Sequence, residues 1–190
     1  MIKEFADGYF NKLKATIDEI PMEKVERIVQ LIFETYKSNK YVFIMGNGGS
    51  ASTASHFACD LGKGTICDGK PRFRVVSLND NIPLITALSN DFGYDRVFVE
   101  QLKNLVNPGD LVICITASGN SPNILKAIEY AKQRGAKAIG LIGFGGGELQ
   151  ELVDEHITVS STNYGQVEDI HLILAHAISQ YFKEMIENHI

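Results

Sequence analysis

His56 and Asp60 stand four residues apart, and Glu168, Asp169, His171 and His176 crowd a second stretch far later in the chain. On a helix an i,i+4 pair shares one face, so His56 and Asp60 present an imidazole and a carboxylate to one point. Such a pair can hold a divalent metal or couple a base to an acid; taken alone, it is more often a solvated ion pair on a helix surface. In the second stretch, 3.6 residues per turn puts Glu168 and His176 two turns apart and ~80° out of phase, near enough to converge on one ligand. Asp169 and His176 share a face more closely, and His171 points elsewhere, as a structural histidine would. A third acidic spot, Asn90-Asp91-Phe92-Gly93, reads equally well as the end of a helix and its turn.

Two Gly/Ser segments supply a different chemistry. Gly46-Asn47-Gly48-Gly49-Ser50-Ala51-Ser52 follows the apolar run 41–45, and Thr116-Ala117-Ser118-Gly119-Asn120-Ser121-Pro122-Asn123 follows the apolar run 111–115. Each has the pattern of a buried strand, a hydroxyl-rich turn and a helix start. That pattern gathers backbone N–H groups, hydroxyls and a helix N-terminus around one point, which suits a phosphate. Gly46-x-Gly48-x-x-Ala51 also fits a loose dinucleotide fingerprint. The acidic residue that should end the second strand is missing near position 66, where Ile66-Cys67-Asp68-Gly69-Lys70-Pro71 reads as a turn. No Gly-Lys-Ser/Thr occurs, so the loop is not of Walker type.

These groups need elements to position them. Apolar residues recur at one-turn spacing at Phe5, Tyr9, Leu13 and Ile17, and again after Pro21 at Val25, Ile28, Ile32 and Phe33. The first 40 residues are therefore a helical extension, packed on its own domain or against a second subunit. From Tyr41 the pattern alternates, with strands expected at 41–45, 73–78, 111–116, 137–142 and 155–160. Helices are expected at 50–61, 82–90, 95–106, 121–134 and 165–188. Val/Ile-rich runs between helical segments indicate a parallel sheet covered on both faces. The expectation is one domain over 1–190: an α/β core at 41–190, built as a three-layer α/β/α sandwich with a doubly wound parallel sheet, preceded by the helices of 1–40.

Bulk properties exclude several functions. The net charge of −5 and the lack of any Lys/Arg run argue against a nucleic-acid partner. No apolar stretch approaches the ~18 residues that would span a membrane, and the N-terminus has no signal-peptide core. Cys59, Cys67 and Cys114 fit neither a disulfide framework nor a CxxC metal site. A cytoplasmic, reduced protein is expected.

Jointly, Gly46-Asn47-Gly48-Gly49-Ser50, His56-Phe57-Ala58, Asn90-Asp91-Phe92-Gly93, Ser118-Gly119-Asn120-Ser121 and Val167-Glu168-Asp169-Ile170-His171 through to His176 resemble a sugar isomerase (SIS) domain. Within that superfamily the chain is similar to the sedoheptulose-7-phosphate, or phosphoheptose, isomerases. The resemblance implies an aldose–ketose isomerisation that yields D-glycero-D-manno-heptose 7-phosphate at the start of heptose biosynthesis. It places substrate contacts on Asn47, Gly48, Gly49, Ser50, Asp91, Thr116, Ala117, Ser118 and Ser121. It places zinc ligands on His56, Asp60, Glu168 and His176, and the base and acid on Asp60 and His176. It also implies a homotetramer with sites built across subunits.

The reaction needs those residue types. Moving a carbonyl between C1 and C2 requires a group that removes a carbon-bound proton, a group that shuttles protons between oxygens, and a charge to stabilise the enediolate. A carboxylate, an imidazole and a zinc ion meet those needs, while the phosphate contributes remote binding energy. The chain departs from the family pattern at three of these positions: Asp60 for Glu, Glu168 for Gln and Ala117 for Thr. A family arginine after the first core helix is unmatched, with Lys63 nearby, and Gly165 stands where the family has aspartate. Two competing expectations follow. One is a non-catalytic SIS protein that binds or senses a sugar phosphate; the other is an isomerase for another sugar phosphate.

Overall fold

The computed structural model describes residues 1–189. Helices α1 (Ile2–Asp18) and α2 (Met22–Lys37) lead, broken at Pro21, which stands at the N-cap of α2, where its missing N–H costs nothing. Strands β1 (Tyr41–Gly46), β2 (Arg74–Ser77), β3 (Leu111–Thr116), β4 (Lys137–Ile142) and β5 (Glu155–Thr158) follow. They alternate with α3 (Gly49–Cys59), α4 (Ile82–Phe92), α5 (Val97–Leu105), α6 (Pro122–Gln133) and the single turn α7 (Leu149–Leu152), and α8 (Tyr164–His189) comes last.

The five strands form one parallel sheet in the order β2-β1-β3-β4-β5. The chain steps from β1 to β2 on one side, then returns to lay β3 on the other side of β1. The boundary between β1 and β3 is thus the switch point, where helices depart to opposite faces and leave a crevice at the carboxyl ends of the strands. Gly46 pairs with Ile115 in the register, so the two Gly/Ser segments leave the sheet side by side.

Strand alternation divides the core. Val42 and Ile44, with Ile113 and Ile115, face a cluster formed by α2, α3 and α8 through Ile28, Ile32, Phe57, Ile170 and Phe182. Phe43 and Met45, with Val112 and Cys114, face Phe98, Leu102, Ile124 and Ile128 of α5 and α6. This is the expected doubly wound sandwich. It also puts α3 and α8 side by side on one face, which is what allows His56 to meet the second acidic stretch.

Several boundaries differ from expectation. The helix expected over 50–61 is α-helical only to Cys59 and continues as a π-helical turn over Asp60–Gly64, with Leu61 fully buried. The strand expected over 155–160 stops at Thr158, because the Ser161 N–H turns back to the Val159 carbonyl and the Ser161 hydroxyl accepts from Asn163 N–H. The helix expected from residue 95 begins as a 3₁₀ turn, Tyr94–Arg96. Helix α7 was not expected at all, since four residues are too few to show a period. The N-terminal helices behave differently from each other. Helix α2 buries Ile28 and Ile32 against the sheet domain, whereas α1 leaves Ile2, Phe5 and Phe10 exposed.

Candidate active site

The first loop has to turn from β1 into α3 within three residues. Gly46 permits this, because a Cβ there would lie 2.6 Å from the Ser50 carbonyl oxygen. The backbone of Gly46 is gripped on both sides by one side chain: Asn79 Oδ1 accepts from its N–H at 3.1 Å and Asn79 Nδ2 donates to its carbonyl at 2.9 Å. The next residue, Asn47, forms a reciprocal amide pair with Asn123 of α6, both bonds at 2.9 Å, and its Oδ1 also accepts from the Tyr94 hydroxyl at 2.7 Å. Neither α3, headed by Gly48, nor α6, headed by Ser121, is capped by its own N-cap side chain. The start of α6 therefore keeps its first amides and positive dipole end available to an anion, while at the start of α3 the Glu168 carboxylate lies against Gly49.

The second loop is held by its own hydroxyls and backbone. Gly119 N–H donates to Thr116 Oγ1 at 3.3 Å and Asn120 N–H to Ser118 Oγ at 3.2 Å, while Gly143 N–H donates to the carbonyls of Thr116 and Ala117. Ser50, Thr116 and Ala117 are buried, whereas Ser118 and Ser121 are half-buried and reachable. Gly48, Gly49 and Ser50 form the start of α3. Asp91 is exposed in the last turn of α4, where its carboxylate accepts from Asn90 at 2.9 Å. It lies three residues from Tyr94, whose hydroxyl does reach the first loop.

The structure brings three of the proposed metal ligands together. His56 Nε2 and His176 Nε2 are 3.2 Å apart, and Asp60 Oδ2 lies 3.6 Å from the first and 3.7 Å from the second. Among the described residues these three form a group whose ligand atoms all fall within 4.8 Å of one another. Ligands ~2.0–2.1 Å from a tetrahedral zinc are separated by ~3.3–3.4 Å, so this donor set fits such an ion with small adjustments. Asp60 reaches despite its short side chain because the α-helical register holds as far as Cys59 and keeps it one turn below His56. The trio is open to solvent, with side-chain exposures of 48% for His56, 27% for Asp60 and 39% for His176.

Glu168 is not in that trio. Its carboxylate lies against Gly49, where any Cβ would collide with both of its oxygens, so it rests on the N-terminal turn of α3. Asp169 is engaged by the Tyr9 hydroxyl at 2.5 Å, and the hydrogen bond to this carboxylate, with some burial, pushes the phenol up to about 12. His171 has the expected structural role. It is fully buried, its Nε2 is 3.2 Å from the Ile142 carbonyl, and burial pushes it down to about 4. Lys63 is exposed in the π-helical turn.

Sequence reasoning missed Asn79, Asn123 and Tyr94. Asn79 and Tyr94 each follow a recognised segment and Asn123 ends one, but their partners are contributed from other segments, where spacing along the chain says nothing.

Known proteins share this fold and part of this sequence. The SIS domain model matches residues 8–143. A phosphoheptose isomerase of Aliarcobacter butzleri is 36% identical over 180 residues, covering 95% of this chain and 94% of the relative. The phosphoheptose isomerase GmhA from Neisseria gonorrhoeae superposes with a TM-score of 0.89 at 26% identity, covering 97% of this chain and all of the other. A phosphoheptose isomerase from Francisella tularensis gives 0.89 at 27% identity, covering 97% and 99%. The chain belongs to the SIS domain family and, within it, to the phosphoheptose isomerases.

Proposed function

We propose that this protein interconverts sedoheptulose 7-phosphate and D-glycero-D-manno-heptose 7-phosphate by proton transfer through an enediolate. The observation that carries the reading is the convergence of His56, Asp60 and His176 from two helices packed beside the phosphate-type loops. A non-catalytic sugar-phosphate binder needs the loops but has no use for that convergence.

In this reading the phosphate sits at the starts of α3 and α6. Ser50, Thr116, Ser118 and Ser121 supply hydroxyls there, and Gly48, Gly49 and Ala117 supply backbone. Asn47 and Asp91 orient the sugar chain. Asp60 removes the C1 proton of the ketose and returns it to C2, and His176 carries the proton that moves between O1 and O2. His56, Asp60 and His176 would hold the metal, with Glu168 as a fourth ligand. A zinc ion held there would polarise the substrate carbonyl and stabilise negative charge on the enediolate oxygens. The open trio and the exposed Ile2, Phe5 and Phe10 of α1 support a homotetramer in which a neighbouring subunit helps close the site.

The test is incubation of the protein with sedoheptulose 7-phosphate, followed by NMR, after chelation and again with added zinc. Turnover lost on chelation and restored by zinc is expected. Binding of the sugar phosphate without turnover in either state would return the protein to the class of binders.

A further inference from the structure

The amide of Asn47 is more tightly specified than a ligand-binding side chain needs to be for its own sake. A primary amide has four hydrogen-bonding positions, two lone pairs on oxygen and two N–H groups. Three are taken: Oδ1 accepts from Asn123 Nδ2 and from the Tyr94 hydroxyl, and Nδ2 donates once to Asn123 Oδ1. The fourth, the N–H directed away from the pair, is the one position left for a ligand. Asn123 is 2% exposed, so losing its half of the pair would strand a buried amide. Tyr94 is different. It is 54% exposed on a 3₁₀ turn, and its ring contributes no buried core, so its hydroxyl is its structural contribution at this point.

The phenol adds a third contact to the reciprocal pair: its hydroxyl lies 2.7 Å from Asn47 Oδ1. The arrangement also ties three separate segments together: the loop after β1, the start of α6 after β3, and the turn after α4.

We propose that Asn123 and Tyr94 are positioning residues that clamp Asn47 so that its amide meets the sugar phosphate at one fixed place. This rests on the reading above that Asn47 touches the substrate.

Tyr94→Phe removes one hydroxyl from an exposed side chain and leaves the fold intact, so it carries the test; Asn123→Ala is the second variant. In Tyr94→Phe the KM for sedoheptulose 7-phosphate should rise about 5–10-fold while kcat changes less than about 2-fold, the size of one lost net hydrogen bond. Added to Asn47→Ala, the same Tyr94→Phe change should cost nothing further, because its effect acts through Asn47. An equal penalty in both backgrounds, or no penalty in either, overturns the proposal. A second readout needs no substrate. The side-chain amide protons of Asn47, assigned by their loss in Asn47→Ala, should shift and exchange faster with solvent in Tyr94→Phe and in Asn123→Ala. Unchanged resonances would contradict the clamp even if the isomerase reading held, and shifted resonances would support it even if no turnover were found.

Discussion

The first Gly/Ser loop and His56 share helix α3, yet the loops and the His56–Asp60–His176 trio are built in opposite ways. The loops are buried at their base and tied down by the side chains of Asn79, Asn123 and Tyr94 and by their own hydroxyls. The trio is exposed, and its three members face chiefly one another. A phosphate is a fixed, doubly charged object, so a rigid cradle loses little entropy in binding it. Proton transfer needs a dry, adjustable arrangement that the lone chain does not provide. The binding half is thus preorganised in the chain, and in the proposed reading a metal, the substrate and a neighbouring subunit complete the chemical half.

Breaking the chemical half should have the largest effect. His56→Ala removes one of the four proposed donors, so bound zinc should fall from about one per chain to below about 0.1, with a loss in rate of ~1000-fold or more. Metal analysis beside an activity assay checks both. The contrast sharpens within the carboxylates: Asp60→Asn should cost at least ~100-fold in kcat, whereas Glu168→Gln, changed at a residue resting on Gly49, should stay within about 10-fold. Equal losses would mean that Glu168 has moved into the trio as the working base.

Smaller effects should appear in stability. Burial holds His171 at about 4, below the ~6.5 of an unfolded chain. The folded state therefore binds fewer protons between those values. The stability this histidine contributes is complete above pH ~6.5 and is lost as pH falls toward 4, by about 3 kcal/mol. Urea unfolding across that range should show the slope, and His171→Gln should flatten it. On the binding side, Gly46→Ala drives a methyl to 2.6 Å from the Ser50 carbonyl. It should cost about 2 kcal/mol in denaturant unfolding and weaken the first loop's hold on phosphate.

The sequence made the architecture legible because strand period and helix period alternate cleanly from Tyr41 onward; Leu111–Thr116 and Lys137–Ile142 were bounded correctly by their flanking turns. The pairing of His56 with Asp60 was also visible, as both lie on one helix. Their meeting with His176 was implied by the family resemblance and needed the packing of α3 on α8 to be seen. The resting place of Glu168 was not legible, because it depends on the missing side chain of Gly49. The π-helical turn at Asp60–Gly64 escaped for a similar reason: nothing in Asp-Leu-Gly-Lys-Gly distinguishes a widened turn from an ordinary helix end. The clamp on Asn47 comes from residues far apart in the chain, beyond the reach of any local pattern.

The most direct test of a preorganised cradle serving a separate chemical trio is to measure binding and turnover of sedoheptulose 7-phosphate in zinc-loaded wild type and His176→Ala. The account predicts that the wild type converts the sugar, while the variant binds it within about 3-fold of wild-type affinity and converts it at least ~100-fold more slowly. Turnover by His176→Ala at the wild-type rate, or a loss of binding that matches the loss of turnover, would contradict it.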